Sequence, residues 1–275
     1  MSAIRSILLH VDTTPASVTR LEITLWLAAR LDAGITALFA PAPPDSGSSS
    51  GYSAAAVLVR QEEWAESVRD DALRRLQARV GRVAPSVRWF DVVGDSLSHG
   101  FGTEAAYADL VVVGQAASVP VEGAPSQGFV EAMILGSGRP TLVLPALPRS
   151  GIVGDRVLVA WDGSPPAARA LTSALPFLQR AAEVHVVSWT DRPCAAPFSR
   201  DDVGSYLRRH DISATLHLRQ ATSRVGAELL LLATSLDADL VVMGGYGHSR
   251  ARERVFGGAS RSALADMPMP VLMAH

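Results

Sequence analysis

Residues 239–260 read Asp-Leu-Val-Val-Met-Gly-Gly-Tyr-Gly-His-Ser-Arg-Ala-Arg-Glu-Arg-Val-Phe-Gly-Gly-Ala-Ser. An apolar run, Leu240 to Met243, opens into Gly244, Gly245 and Gly247, crosses a cationic segment and reaches Gly257 and Gly258 ahead of a helix-like pattern. Glycine lets backbone N–H groups approach an anion closely, and a helix N-terminus adds unpaired donors with partial positive charge. The layout is that of an anion cradle at the end of a buried strand.

The strand that opens this stretch occurs twice. Ala108-Asp109-Leu110-Val111-Val112-Val113-Gly114 mirrors Ala238-Asp239-Leu240-Val241-Val242-Met243-Gly244. Gly114 to Pro140 and Gly244 to Pro270 span the same 26 positions (140 − 114 and 270 − 244). Upstream, Ile7 to Val11 followed by Asp12-Thr13-Thr14-Pro15 is matched by Val157 to Trp161 followed by Asp162-Gly163-Ser164-Pro165. The chain is an internal duplication. Its halves are expected as two domains, 1–147 and 152–275, meeting in the Pro/Gly/Ser-containing stretch Ala146 to Asp155.

Within each half, short apolar runs alternate with helical spacing. The first half predicts strands at Ile4 to Val11, Ile35 to Phe39, Val87 to Val93, Leu110 to Val113 and Thr141 to Leu144. Helices are predicted from about Ala16 to Leu31, over the repeat Trp64, Val68, Ala72, Leu76, Val80, and from Ser96 to Tyr107 with Asp95 or Ser96 as cap. The second half predicts strands at Val157 to Trp161, Val184 to Trp189, Ile212 to Leu218, Leu240 to Met243 and Val271 to Ala274. Its helices are expected from Pro165 to Ala182, Asp201 to His210, Val225 to Leu236 and about Gly258 to Ala265. Strands that are apolar throughout and alternate with helices indicate a parallel sheet covered on both faces. The expected fold is α/β, with two tandem doubly wound domains, each a five-stranded parallel sheet.

Composition narrows the function. A net charge of −2 gives no global footprint for nucleic acid or an anionic membrane. Cys194 is the only cysteine, which excludes a disulfide framework and a cysteine-based zinc site. No apolar run approaches the ~20 residues of a membrane span, and the segment at Ile7 to Leu9 is too short for a secretory signal. A soluble cytoplasmic protein is expected.

In a doubly wound sheet, ligands bind beyond the carboxyl ends of the strands where strand order reverses. The loops at Asp162 and Gly244 both leave strand carboxyl ends, so an acidic wall and glycine-lined donors would face one crevice. That pairing suits a nucleotide: the carboxylate accepts from hydroxyl or amino groups and the backbone donors take phosphate.

These residues resemble the universal stress protein family in its tandem-domain form. The resemblance rests on the Asp162 loop, the Asp-Leu-Val-Val-Met-Gly strand and Gly244, two residues, Gly247, nine residues, Gly257. It implies an adenine-nucleotide-binding fold with strand order 3-2-1-4-5 and paired domains. By position, Asp162 matches a ribose-contacting aspartate, with Gly163 beside it. Gly244, Gly247 and Gly257 match phosphate-loop glycines, and Trp189 falls where backbone meets adenine. Met243, His248, Arg250, Gly258, Ala259 and Ser260 complete the expected nucleotide-binding set. ATP, alone or with Mg, is the implied cofactor. Where the family has Ser or Thr after the last glycine, this chain has Gly258, which shifts hydroxyl contact to Ser260 and leaves His248 or an arginine as further phosphate contacts.

The first half departs further. With the offset fixed by Gly114 and Gly244, Ala117 stands at the position of Gly247 and Gln127 at that of Gly257. Asp12 survives and the cradle does not. At most one nucleotide per chain is expected, with a structural N-terminal domain.

Plainer readings stand beside these. Asp162 and Asp12 also read as caps of the helices that follow. Gly244 and Gly247 also read as chain-turning residues, and Arg250, Arg252 and Arg254 as a solvated face. Trp189 is expected to act through backbone and packing. No nucleophile elbow, Gly-Lys-Ser/Thr loop or histidine metal spacing is present. The functional expectation is a stress-response protein in which nucleotide biases the arrangement of the two domains. The alternatives are an interaction or chaperone-like protein without nucleotide, and a slow ATPase. Pairing of the two domains within the chain, and association into homodimers, are the partner expectations.

Overall fold

The computed structural model describes residues 4–40, 63–64, 66–75, 78, 87–91, 97–117, 121–190, 203–222, 224–245 and 263–275. In chain order the first half forms β1 (Ser6–Val11), α1 (Pro15–Leu31), β2 (Gly34–Phe39), β3 (Val87–Asp91), α2 (Leu97–Ala105), β4 (Leu110–Gly114), α3 (Gln127–Gly136) and β5 (Thr141–Leu144). The second half forms β6 (Arg156–Ala160), α4 (Pro165–Leu178), β7 (Glu183–Thr190), α5 (Val203–Arg208), β8 (Thr215–Gln220), α6 (Val225–Ser235), β9 (Leu240–Gly244) and β10 (Val271–Ala274). Residues 66–75 and 263–266 are also helical.

The chain divides into two compact units, Ile4–Arg139 and Pro140–His275. The first contains parallel strands in the order β3-β2-β1-β4. The second runs β8-β7-β6-β9-β10, parallel throughout, so this repeat has the 3-2-1-4-5 order. It also takes in β5, the last strand of the first repeat, which pairs antiparallel with β10 through Val143 and Val271. In each unit the order reverses between its first and fourth strands. The register Val159 to Val242 and Leu9 to Val112 brings their carboxyl ends side by side.

The central strands are buried on both faces, which is why they read as unbroken Val/Leu runs: β4 and β10 are buried at every residue. Helix α1 starts at Pro15, where a missing N–H costs nothing, and buries Leu21, Ile23, Leu27 and Leu31. Three features differ from the sequence expectation. Helix α3 was not anticipated. It is capped by Ser126, whose Oγ accepts from Phe129 N at 3.1 Å, and it buries Phe129, Val130, Met133 and Ile134. The strand expected at Ile212 to Leu218 begins at Thr215 instead, and Ile212 is a buried residue of the preceding turn. Helix α4 ends at Leu178 rather than Ala182. The Asp95 or Ser96 cap, Leu76, Val80, Val93 and the start of the expected helix at Gly258 lie outside the described residues.

The repeated Ala-Asp-Leu-Val-Val motif has a structural purpose. The Asp239 carboxylate accepts from the backbone N–H groups of Gly154 (2.7 Å), Asp155 (3.0 Å) and Arg156 (3.2 Å), pinning the start of β6 to that of β9. Asp109 does the same for β1, accepting from Arg5 N at 2.8 Å and Ser6 N at 3.0 Å. Asp239→Ala strands three donors in a half-buried place. It is expected to cost about 2 kcal/mol, given about 1 kcal/mol per net hydrogen bond and partial rescue by water, measured by urea denaturation of the full chain.

Candidate functional site

In the second unit the chain leaves β6 through Trp161 and turns at Asp162-Gly163-Ser164. Asp162 is exposed, and its Oδ1 accepts from Ser164 N at 2.9 Å. Gly163 takes a φ of 75°. The Ser164 hydroxyl accepts from Ala167 N at 3.3 Å and so caps α4, whose first residue is Pro165. Capping thus falls to Ser164, and Asp162 organises the turn before it.

Across the reversal, β9 ends at Gly244, against the first turn of α4. A Cβ on Gly244 would stand 2.6 Å from Ala167 N and 2.8 Å from the carbonyl carbon of Pro166. The bare backbone at the end of β9 therefore lies directly against the helix that the Asp162 turn begins. The next residue, Gly245, donates its N–H to Ala274 O at 2.8 Å, and His275 Nδ1 meets Gly245 O at 3.0 Å. Met243 is buried in β9, in register with Met273.

Trp189, near the end of β7, is half-buried. Its indole N–H donates to Glu228 Oε2 at 3.1 Å, and Glu228 Oε1 accepts from the Thr222 hydroxyl at 2.6 Å. The indole nitrogen is thus committed to α6. Beneath it the Ser188 hydroxyl donates to Trp161 O at 2.7 Å, tying the end of β7 to the Asp162 turn. Glu228, Thr222 and Ser188 were not singled out from sequence. The available signal was Glu228 as the single charge in the apolar helix Val-Gly-Ala-Glu-Leu-Leu-Leu-Leu-Ala-Thr-Ser. Of the expected nucleotide-binding set, the structure brings Asp162, Gly163, Gly244 and Met243 to one end of the β6–β9 pair, with Trp189 on the neighbouring strand. Gly247, His248, Arg250, Gly257, Gly258, Ala259 and Ser260 lie outside the described residues.

The corresponding place in the first unit is built differently. Asp12 is 1% exposed and Arg20 3%. Arg20 Nη2 donates to Asp12 Oδ2 at 2.6 Å and to the Ser17 hydroxyl at 3.2 Å, and Arg20 Nε donates to His10 O at 2.8 Å. The other carboxylate oxygen of Asp12 accepts from Thr14 N at 2.8 Å and from the Thr14 hydroxyl at 2.6 Å. Burial alone would raise the Asp12 carboxyl, but the Arg20 charge, His10 and the Thr14 hydrogen bonds outweigh it and hold the pKa below the usual value. His10 packs against Phe101 and Phe129, with Nε2 on Ala40 O at 2.9 Å. Its burial and the Arg20 charge lower its pKa to about 4, against a smaller opposing effect of Asp12, so it is neutral at pH 7. Gly123, at φ 81°, presses on Thr13: a Cβ there would overlap the Thr13 hydroxyl.

Among the described residues no group of three or more His, Cys, Asp or Glu side chains is arranged to hold a metal ion. No described helix is long and apolar enough to cross a membrane.

Residues 154–275 match the universal stress protein family. Among solved structures, a universal stress protein from Archaeoglobus fulgidus superposes with a TM-score of 0.66 at 18% identity, covering 98% of this chain and 97% of that one. A functionally unknown protein from Pseudomonas aeruginosa follows with a TM-score of 0.59 at 17% identity, covering 98% of this chain and 92% of that one. At such identities the likeness shows a shared fold over the whole length. No curated protein matches the sequence.

Proposed function

Because residues 154–275 match the universal stress protein family and the N-terminal half repeats their fold, we propose that the chain is a stress-response protein that holds one adenine nucleotide, ATP with or without Mg, in its C-terminal unit. The observation that carries this reading is the difference between the two crevices. At the β6–β9 switch point the Asp162 carboxylate is exposed, in the turn that leads into the helix packed on Gly244. At the β1–β4 switch point the equivalent carboxylate is buried and spent on Arg20. A free carboxylate can accept from ribose hydroxyls, and the glycine-rich segment that follows Gly244 in sequence supplies backbone donors for phosphate.

Calorimetric titration of the full chain with MgATP is expected to give a single site per chain. Asp162→Ala is expected to weaken binding about tenfold, the loss of roughly 1.4 kcal/mol of charge-assisted hydrogen bonding. Gly247→Val is expected to abolish it, because a β-branched side chain closes the approach to the backbone. Two equal sites would overturn the assignment to one unit, and no binding at millimolar MgATP would turn the reading to an interaction protein without nucleotide.

A further inference from the structure

We propose that the crevice of the N-terminal unit is a guanidinium-binding site permanently filled by the chain's own Arg20, so that the first repeat is closed to outside ligands by a built-in cation.

The guanidinium is received as a ligand would be. Three acceptors converge on it from separate places: His10 O at the end of β1, the Asp12 carboxylate in the loop, and the Ser17 hydroxyl on α1. Its floor is the end of β4. A Cβ on Gly114 would overlap Arg20 Nη1, so the cation sits in space that only glycine leaves open. The turn at Gly123 presses on Thr13, next to Asp12 in the loop. Asp12 and Gly114, the two features that the first repeat shares with the second, here serve a cation rather than an external ligand.

The second repeat keeps the carboxylate, the main-chain carbonyl and the glycine of this plug but lacks its guanidinium and its hydroxyl. Matching Asp12 to Asp162 places Ala160 at the position of His10, Ala167 at that of Ser17 and Ala170 at that of Arg20. With three alanines and no guanidinium, α4 packs directly on Gly244 and the carboxylate of Asp162 is left exposed. The Arg20 and Ser17 side chains therefore decide which aspartate is available. Every residue named for the plug lies within Ile4–Arg139, so the proposal does not rest on nucleotide binding by the other unit.

Removing Arg20 leaves a buried carboxylate with no counter-charge beside a cavity of guanidinium shape, a strongly destabilising arrangement that a free cation of the same shape relieves. The test is thermal denaturation of the full chain in millimolar guanidinium chloride against equal sodium chloride. Arg20→Ala is expected to melt several degrees below the wild type and to regain much of that loss, saturably, with guanidinium and not with sodium. Should Arg20→Ala be unfolded alone, recovery of its native circular dichroism by guanidinium is the same result. Arg20→Lys fills the site without the planar fork. It is expected to melt lower than wild type and to ignore guanidinium. The neutral pair Asp12→Asn with Arg20→Met is expected to fold and likewise to ignore it. An Arg20→Ala protein as stable as wild type, or one that gains nothing from guanidinium beyond the sodium control, overturns the proposal, as does an equal response by the neutral pair.

Discussion

Gly244→Val is expected to destabilise the C-terminal unit by about 3 kcal/mol or more, at the upper end of what overpacking costs, and to do so with or without nucleotide. The atoms in the way of the new Cβ are backbone, Ala167 N and Pro166 C, and no rotamer change can move them. They belong to the first turn of α4, which is fixed by Pro165 and by the Ser164 cap. Relief therefore requires α4 to lift from β9, uncovering Ala167, Ala170 and Leu171 of its buried face. Urea denaturation of the full chain, followed by tryptophan fluorescence, reads the effect. A midpoint unchanged from wild type would show that the helix yields without penalty. Phosphate contact alone would predict lost binding at unchanged stability, so the experiment separates the packing role of Gly244 from a ligand role.

Acidification from pH 6.5 to pH 4 is expected to remove about 3 kcal/mol of stability from the N-terminal unit through His10 alone. The folded protein holds this imidazole at a pKa of about 4, whereas an unfolded histidine titrates at 6.5. Between those values the unfolded chain binds a proton that the folded chain refuses, so stability is complete above pH 6.5 and is lost as pH falls. The magnitude follows from 1.36 kcal/mol per pKa unit. The groups facing the ring are the Phe101 and Phe129 rings, Ala40 O, the Asp12 carboxylate at 3.7 Å and the Arg20 guanidinium whose charge opposes protonation. The depressed carboxyl of Asp12 adds a loss only at lower pH, below its unfolded value of 3.8. In the other unit His217, lowered by burial, His185 and Arg219, adds to the acid loss. Asp239, raised mainly by burial, works against it. Stability measured in urea at half-unit pH steps is expected to show a slope that His10→Gln flattens by about one proton. An unchanged slope would sink the assignment to His10.

The sheet was legible in the sequence because its central strands are buried on both faces, so Leu110 to Val113 and Leu240 to Met243 carry an uninterrupted apolar signal twice. The edge was not. Strand β8 exposes both faces, and its residues Thr-Leu-His-Leu-Arg-Gln carry no burial pattern that would place its start at Thr215 rather than Ile212. Helix α3 escaped notice because its apolar residues are bracketed by Gly128 and Gly136. Ser126, three residues before Phe129, was the signal that would have revealed it.

At the site, the reversal between first and fourth strands foretold that the strands leading to Asp162 and Gly244 would be neighbours. The close packing of Gly244 on α4 could not be read from spacing, since a glycine leaves no record of what approaches it. Arg20 was hidden for another reason. A charged residue inside an amphipathic helix reads as solvent-facing, and only its pairing with Asp12 in three dimensions reverses that. The alanine at the matching position of the second repeat was the one clue in the sequence.

The antiparallel pairing of β5 with β10 imposes an order on synthesis. Val143 meets Val271, so β5 leaves the ribosome 128 residues (271 − 143) before the partner strand does. Through the whole translation of the second repeat, the edge of β5 that will receive β10 stays uncovered, and its four residues are all apolar or β-branched. A nascent chain stalled before Val271 presents a short, sticky strand edge, the kind of surface that chaperones recognise and that pairs with the wrong neighbour when they do not. The contact that covers this edge of the sheet thus waits until the second repeat has been translated as far as β10.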